Sequence, residues 1–374
     1  SGVSNYTGAT TVNGGTLQLN VGSGTGSLAG NGPIVINGGG NVASGAVDGL
    51  GFYNPETNNG ITINEGGTLT ALEGGRLSMD RVLTSIGGTI TSLGTNFDSQ
   101  ASYAFRFRGD AGDPNAVPPR PADPANSYNF TSSPGGVAST ISATHIGVDG
   151  AVFNVTKGGG AIDLNVTGDI VDKFGTNGLR KDGDGVMVIA NAENPLLTGP
   201  TIVDEGTLLV NGSITNSTVT VNDGILGGIG GTLGITTVTA DGILAPGPLI
   251  GTLNFSKSLT LEGTAIFEIN KTGSLLTADL ANVTGALTLG GNLTVTATGA
   301  ALVSGDTFNL FDSLGGFSGN FASLNLPTLN AGLSWQTSSL PVDGTLSVVP
   351  EPGAVFSLLA GAGMMLGLRR RRAC

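Results

Sequence analysis

One cysteine, Cys374, and one histidine, His145, stand in 374 residues. A lone cysteine permits neither an internal disulfide nor a thiolate metal cluster, and a lone histidine excludes a His-paired metal centre. Aromatic residues make up 5% and charged residues 11%. Basic residues are concentrated: four of the 15 Lys+Arg form the run Arg369 to Arg372, which leaves 11 against 27 Asp+Glu in the rest of the chain. A body so acidic is repelled by phosphate backbones, and no basic patch interleaved with aromatics offsets this, so nucleic acid is not expected as a partner. There is no G-x-S-x-G elbow and no P-loop. His145 lies beside a strand-like stretch and reads as a structural or surface residue. DGDGV at 182–186 has the look of a calcium loop but lacks the third liganding position and the later Glu of an EF-hand. No catalytic residue and no resident cofactor are expected.

What the chain has in abundance is glycine, 65 residues, among Val, Ile, Leu and Thr. The hydrophobic fraction, 39%, is ordinary for a folded protein and argues against disorder. Without a strict three-residue period the glycine is not collagenous, and β-branched residues cut by turn residues point to many short strands. One phrase recurs: TTVNGGTLQLN, ITINEGGTLTAL, TIVDEGTLLVNG, VTVNDGILGG and VTADGILAPG. Each has alternating β-branched residues, then Asn or an acid, then Gly, then a second short apolar strand. Gly206, Gly224 and Gly242 are 18 apart, and Gly263 follows after 21. A period near 20 with two or three strands per unit is the mark of a solenoid, in which stacking supplies the core.

The fold class expected is all-β, a right-handed parallel β-helix, with a short hydrophobic helix at the C-terminus. A coil of 18 residues at about 3.3 Å per residue closes a circuit of roughly 60 Å, enough for three short sides and their corners. Alternation puts Val219, Val221 and Leu226 inward and Thr218, Thr220 and Asn222 outward, and the corner glycines supply a positive φ. A β-sandwich array is the competing fold; it needs hairpins and leaves the 18-residue recurrence unexplained. The segments expected are solenoid repeats at 1–107 and 137–300, a proline-rich loop or linker at 108–136, a β cap at 301–348 and a tail at 349–374. The loop holds six of the 16 prolines and the tripeptide Arg108-Gly109-Asp110, either an integrin-type motif or a chance match.

Residues 178–213 resemble the autotransporter-associated β-strand repeat. Lys181, Gly183, Gly185, Thr198, Gly199, Thr201, Val203, Gly206, Thr207 and Leu208 keep its pattern; Met187 and Leu197 depart from it, and Tyr6 to Leu19 matches its second half again. The resemblance implies a β-helical, passenger-like body outside the cell. The acids before the corner glycines, Glu205, Asp223, Asp241 and Glu262, would line one edge if coils stack in register, and like charges that close would favour a bridging Ca2+. The other reading is that Asp and Glu simply share the turn position with Asn. No basic residue accompanies them, which gives a β-helical polysaccharide lyase or hydrolase no support.

The tail reads VPEP, then an uncharged run from Gly353 to Leu368, then four arginines. Sixteen residues make about 24 Å of helix, just short of a hydrocarbon core of roughly 30 Å, and the positive-inside tendency would put the arginines in the cytoplasm. This order resembles the PEP-CTERM sorting signal of Gram-negative bacteria. The resemblance implies an exosortase-type enzyme that recognises Pro350, Glu351 and Pro352 and cuts nearby. It also implies transient inner-membrane anchoring through the apolar run with Arg369, Arg370, Arg371 and Arg372, then transfer of the body to the cell surface or the exopolysaccharide matrix. Ser1 opens inside a repeat with neither Met nor a leader, as a fragment or a processed chain would, and no translocator barrel is expected within the sequence. The function expected is a non-enzymatic surface or matrix structural protein, with a polysaccharide-active enzyme and a carbohydrate-binding adhesin as alternatives.

Overall fold

The computed structural model describes residues 8–19, 32–45, 50, 60–79, 82–93, 104–108, 128–172, 177–247 and 249–351. They form a right-handed parallel β-helix of three faces. The first face is a 13-stranded parallel sheet running from Thr10–Val12 through Leu179–Asp182 and Val219–Val221 to Phe317–Gly319. The second is a 14-stranded sheet from Gly15–Leu19 to Ser323–Asn325, parallel except for Leu275–Ala278, which folds back antiparallel on Thr264–Thr272. The third face is split into a four-stranded sheet, Leu77–Met79 to Ile170–Asp172, and a five-stranded one, Ser213–Ile214 to Phe311–Ser313. Where all three faces are present, a coil leaves a first-face strand, turns a corner of a few residues, runs along the second face and returns by the third.

The alternation seen in the sequence fixes which side chains fill the interior. Val219, Val221 and Leu226 are fully buried, while Thr218 is exposed and Thr220 and Asn222 are half-buried on the outer surface. Because each coil pairs with the next through main-chain hydrogen bonds, one apolar side chain per coil stacks into a continuous column. The column Val203, Val221, Val238, Leu261 is one such row. Polar ladders run along the outer corner: Asn64 donates to Asn37 at 2.7 Å, Asn37 to Asn13 at 2.6 Å, and Asn222 to Asp204 at 2.8 Å.

The corner glycines do not all serve one purpose. Gly206 adopts φ 64°, the left-handed conformation expected. Gly224 and Gly242 do not; there a Cβ would stand 2.6 Å from Val203 Cγ1 and 2.5 Å from the Val221 carbonyl oxygen respectively. Close approach of the preceding coil, not backbone handedness, makes those two positions glycine.

Two stretches differ in detail from the segmentation read in the sequence. Tyr128–Thr131 is a strand of the first face, with Tyr128 and Phe130 buried, and Phe105–Arg108 is a strand of the third. The rest of the proline-rich segment, 109–127, lies outside the described residues, Gly109 and Asp110 among them. At the other end the cap is a three-stranded antiparallel sheet of Thr307–Asn309, Thr345–Pro350 and Leu333–Gln336. Phe317–Gly319 and Ser323–Asn325 still belong to the coil stack. One helical turn, Leu340–Asp343, precedes the last cap strand. Gly353 to Leu368 lies outside the described residues, and among the described residues no helix is long and apolar enough to cross a membrane.

Candidate functional site

Lys181, Gly183, Gly185 and Gly206 of the repeat pattern converge on one corner, between the first and second faces. Lys181 is the third residue of the strand Leu179–Asp182 and occupies an inward position, in register with Phe153 on one side and Val203 on the other. An ammonium cannot stay in an apolar column without partners. Its Nζ turns into the corner and donates to the carbonyl oxygens of Asp182 at 3.2 Å, Gly183, and Glu205 of the next coil at 2.8 Å. Burial lowers its pKa from 10.5 to about 8, opposed by the negative charges of Asp182, Glu205, Asp184 and Asp163. The glycines of K-x-G-x-G make room for this arrangement. Gly183 takes φ 77°, and a Cβ on Gly206 would stand 2.7 Å from Lys181 Nζ.

Carboxylates complete the network. Asp163 is fully buried and accepts from the Ser132 hydroxyl at 2.6 Å and from the Gly158 and Val186 N–H groups at 2.8 and 2.9 Å. Burial alone would raise its pKa, but these donors together pull it below the ordinary value. A Cβ on Gly185 would stand 2.8 Å from Asp163 Oδ2, so the second glycine of the pattern lets the carboxylate reach its donors. Asp172 accepts from the N–H groups of Thr198, at 2.6 Å, and Gly199; burial pushes its pKa up against those bonds. Thr201 points inward, its hydroxyl 2.8 Å from that of Ser217, which donates to the Gly199 carbonyl. The signature is thus a set of staples between successive coils, and its polar atoms face backbone groups.

Buried charge elsewhere also serves the scaffold. Arg106 pairs with Asp149 on the third face. Lys271 reaches both carboxylate oxygens of Asp306, at 2.9 and 2.7 Å, and ties the long strand Thr264–Thr272 to the cap. Asp279, raised to about 6 by burial, accepts from the Gly251 and Glu268 N–H groups. Sequence reading missed these groups. Lysine and aspartate read as surface residues unless a pattern marks them, and only Lys181 lay within a recognised pattern.

Glu205, Asp223, Asp241 and Glu262 are all exposed on the corner between the first and second faces. They do not share one position. Glu262 takes the first corner place, its N–H bonded to the Val238 carbonyl as those of Asn222 and Thr239 are to Val203 and Val221. Glu205 and Asp223 take the second place, and Asp241 the third, in a corner one residue longer. Among the described residues no group of three or more His, Cys, Asp or Glu is gathered to hold a metal ion. His145 sits at φ 50° with Nε2 3.1 Å from Asp169. Two surface hollows, of about 150 and 230 Å³, lie at the C-terminal end, and no titratable side chain lines either. Pro350 closes the last cap strand opposite Leu333, and Glu351 donates its N–H to the Gly332 carbonyl; Pro352 and Arg369 to Arg372 lie outside the described residues.

Comparison with known proteins agrees with this picture of a repeat-built body. The Passenger-associated-transport-repeat family matches residues 1–19 and 179–210, the second stretch containing the Lys181 corner. The chain is similar to the adhesin BmaC autotransporter of Brucella suis biovar 1 (strain 1330), 27% identical over 337 residues. That match covers 83% of this chain and 9% of the relative, so the chain corresponds to a small part of the relative's length. The chain is a repeat-containing, passenger-like β-helix.

Proposed function

We propose that this chain is an exported, non-enzymatic surface protein whose β-helix is a rigid spacer and contact surface. The observation that carries the reading is the staple network: the polar residues of the repeat are spent on backbone groups of neighbouring coils, which makes a stiff rod and leaves them no substrate to act on. Similarity to an adhesin supports a second emphasis, in which the outer faces bind a surface glycan.

Export would end with the tail. In this reading Pro350, Glu351 and Pro352 are recognised by an exosortase-type enzyme, and the following apolar run and arginines hold the precursor in the inner membrane until the body passes to the surface or the exopolysaccharide matrix. Pro350 and Glu351 emerge directly from the cap sheet, which would present the cleavage region at the margin of a folded body. Glu351→Ala should leave full-length protein in the inner-membrane fraction of an exosortase-bearing Gram-negative host. A shortened body released at the normal rate from that variant would defeat the sorting reading.

A further inference from the structure

Six Asn-Gly pairs stand in the chain, at Asn13, Asn31, Asn37, Asn59, Asn177 and Asn211. Such a pair carries a reaction of its own. Glycine has no side chain to shield its nitrogen, so that nitrogen can attack the side-chain amide carbon of the asparagine before it. The fold decides whether it does, because an N–H committed to a hydrogen bond in a buried backbone cannot turn onto that carbon. Asn31 and Asn59 lie outside the described residues. The other four occupy two kinds of setting. Asn177 and Asn211 are exposed, but the glycines that follow them are buried and tied. Gly178 gives its N–H to the Asp172 carboxylate, and Gly212 donates to the Ile189 carbonyl at 3.1 Å. Their asparagines are held as well: Asn177 Nδ2 donates to Asp149 at 3.2 Å, and Asn211 Oδ1 accepts from the Ile229 N–H at 2.9 Å.

At the N-terminal end of the polar ladder the setting is open. Asn13 and Gly14 are both exposed, and the Gly14 N–H has no partner among the described residues. A Cβ on Gly14 would meet nothing within 4 Å, so no neighbouring coil confines the nitrogen. Asn13 Oδ1 accepts from Asn37 Nδ2 at 2.6 Å, which draws electrons from the amide carbon and is placed to hold the oxyanion of a tetrahedral intermediate. The Asn13 amide nitrogen donates to nothing among the described residues and is free to leave. Asn37 is held more closely. Its Nδ2 is committed to Asn13, its Oδ1 accepts from Asn64 Nδ2 at 2.7 Å, and a Cβ on Gly38 would stand 3.1 Å from the Glu65 carbonyl oxygen of the next coil. The product also suits position 13 better than position 37. A carboxylate at 13 still accepts from Asn37, and the chain already contains that pair in Asn222, which donates to Asp204 at 2.8 Å. An acid at 37 has no hydrogen to give Asn13.

We propose that Asn13-Gly14 is a self-modification site, at which the folded chain converts its own asparagine to an acid. The Gly14 nitrogen bonds to Asn13 Cγ, the Cγ–Nδ2 bond breaks, and Nδ2 leaves as ammonia with the proton from the Gly14 N–H. Water then opens the cyclic imide at one or the other carbonyl, giving aspartate or isoaspartate and a new negative charge at the end of the ladder. The test holds the purified full chain in warm, mildly alkaline buffer and follows each Asn-Gly peptide by mass spectrometry, with labelling by an isoaspartate methyltransferase as the second readout. In the folded chain Asn13 should convert at least about tenfold faster than Asn177 and Asn211, and faster than Asn37, with isoaspartate among the products. In urea the same pairs should convert at similar rates, since the hydrogen bonds that tie Gly178 and Gly212 are gone. Gly14→Ala has room for its methyl group, so it should leave the thermal melt unchanged and nearly stop conversion at Asn13. Folded-state conversion at Asn177 or Asn211 as fast as at Asn13 would overturn the proposal, as would faster conversion at Asn37. Acid at Asn13 without isoaspartate, or at an undiminished rate in Gly14→Ala, would equally defeat it, because water would then be attacking the side chain directly.

Discussion

Between Phe105 and Phe153 the stack is filled with aromatic rings; between Thr201 and Ala245 it is filled with valine and leucine. Phe107 packs edge-on against Tyr128 and Phe153 at 5.0 and 5.1 Å between ring centres, and Phe130 joins them. The difference follows coil length. The ladder bond from Asn154 to Asn129 spans 25 residues, whereas that from Asn222 to Asp204 spans 18. The extra residues widen the third face: Phe105–Arg108 and Ile146–Asp149 have four residues where Ser213–Ile214 and Thr232–Leu233 have two. A longer perimeter encloses a larger cross-section, and only larger side chains fill it at native packing density. The rule repeats near the cap. There the third-face strands Thr252–Phe255 and Leu280–Val283 lengthen again to four residues, and Phe255, Phe267 and Phe311 return to the core.

If perimeter sets side-chain size, the two regions should fail in opposite ways. Phe153→Ala leaves a cavity in a wide coil and should cost about 3–5 kcal/mol. In the narrow coil, Val221→Phe has no space to occupy and should cost about 1–3 kcal/mol through forced rotamers. Thr220→Phe, one position away and facing out, should be nearly neutral. Denaturant melts of the three variants test this, and an Val221→Phe protein as stable as the wild type would show that the narrow coils adapt.

The narrow region was the more legible of the two from sequence, and for a physical reason. Its corners Asp204-Glu205-Gly206 and Asn222-Asp223-Gly224 are equally long, and the inward residues Leu208, Leu226 and Leu244 of the second face recur at 18, so the register can be counted. The third face gave no such signal, because a two-residue strand is shorter than one period of alternation. Tyr128–Thr131 was hidden for a different reason: it lies beyond a proline-rich excursion that looked continuous with it. At the Lys181 corner the pattern residues could be named from sequence, but a lysine in an inward column contradicts the ordinary expectation that lysine is exposed. Only the three carbonyl oxygens around Nζ explain its place.

Lys181 stands where the wide region gives way to the narrow one, with Phe153 behind it and Val203 ahead. In the folded chain it loses its proton at about 8, against an ordinary 10.5. Between those values the unfolded chain binds the extra proton, so Lys181 makes stability rise as pH increases through that window and contributes no slope below it. Lys181→Met should remove the rise. The check is the difference in denaturation midpoint between wild type and variant across pH 7.5 to 10.5, before other lysines dominate. A difference that stays flat would mean that the carbonyl oxygens hold the ammonium charged throughout.

The smallest effect is expected at the acids of the narrow region. Two carboxylates at roughly coil spacing repel by about 1 kcal/mol even in water, so any salt should raise stability slightly by screening. A bound calcium ion would act differently, because it binds the fold and not the unfolded chain and raises stability by mass action, about 2.7 kcal/mol at a hundredfold excess over its dissociation constant. Calcium also needs six or more oxygens around one point. Glu205 and Asp223 share a corner place, but Asp241 and Glu262 are displaced from it in opposite senses, which spreads the charge along the edge instead of gathering it. Melting temperatures in calcium, in sodium chloride at matched ionic strength and in chelator should therefore show no calcium-specific increment. An increment that Asp223→Asn with Asp241→Asn abolishes would show that the corners close around a cation, and would make the narrow coils a metal-stabilised region where the wide coils are held by aromatic packing.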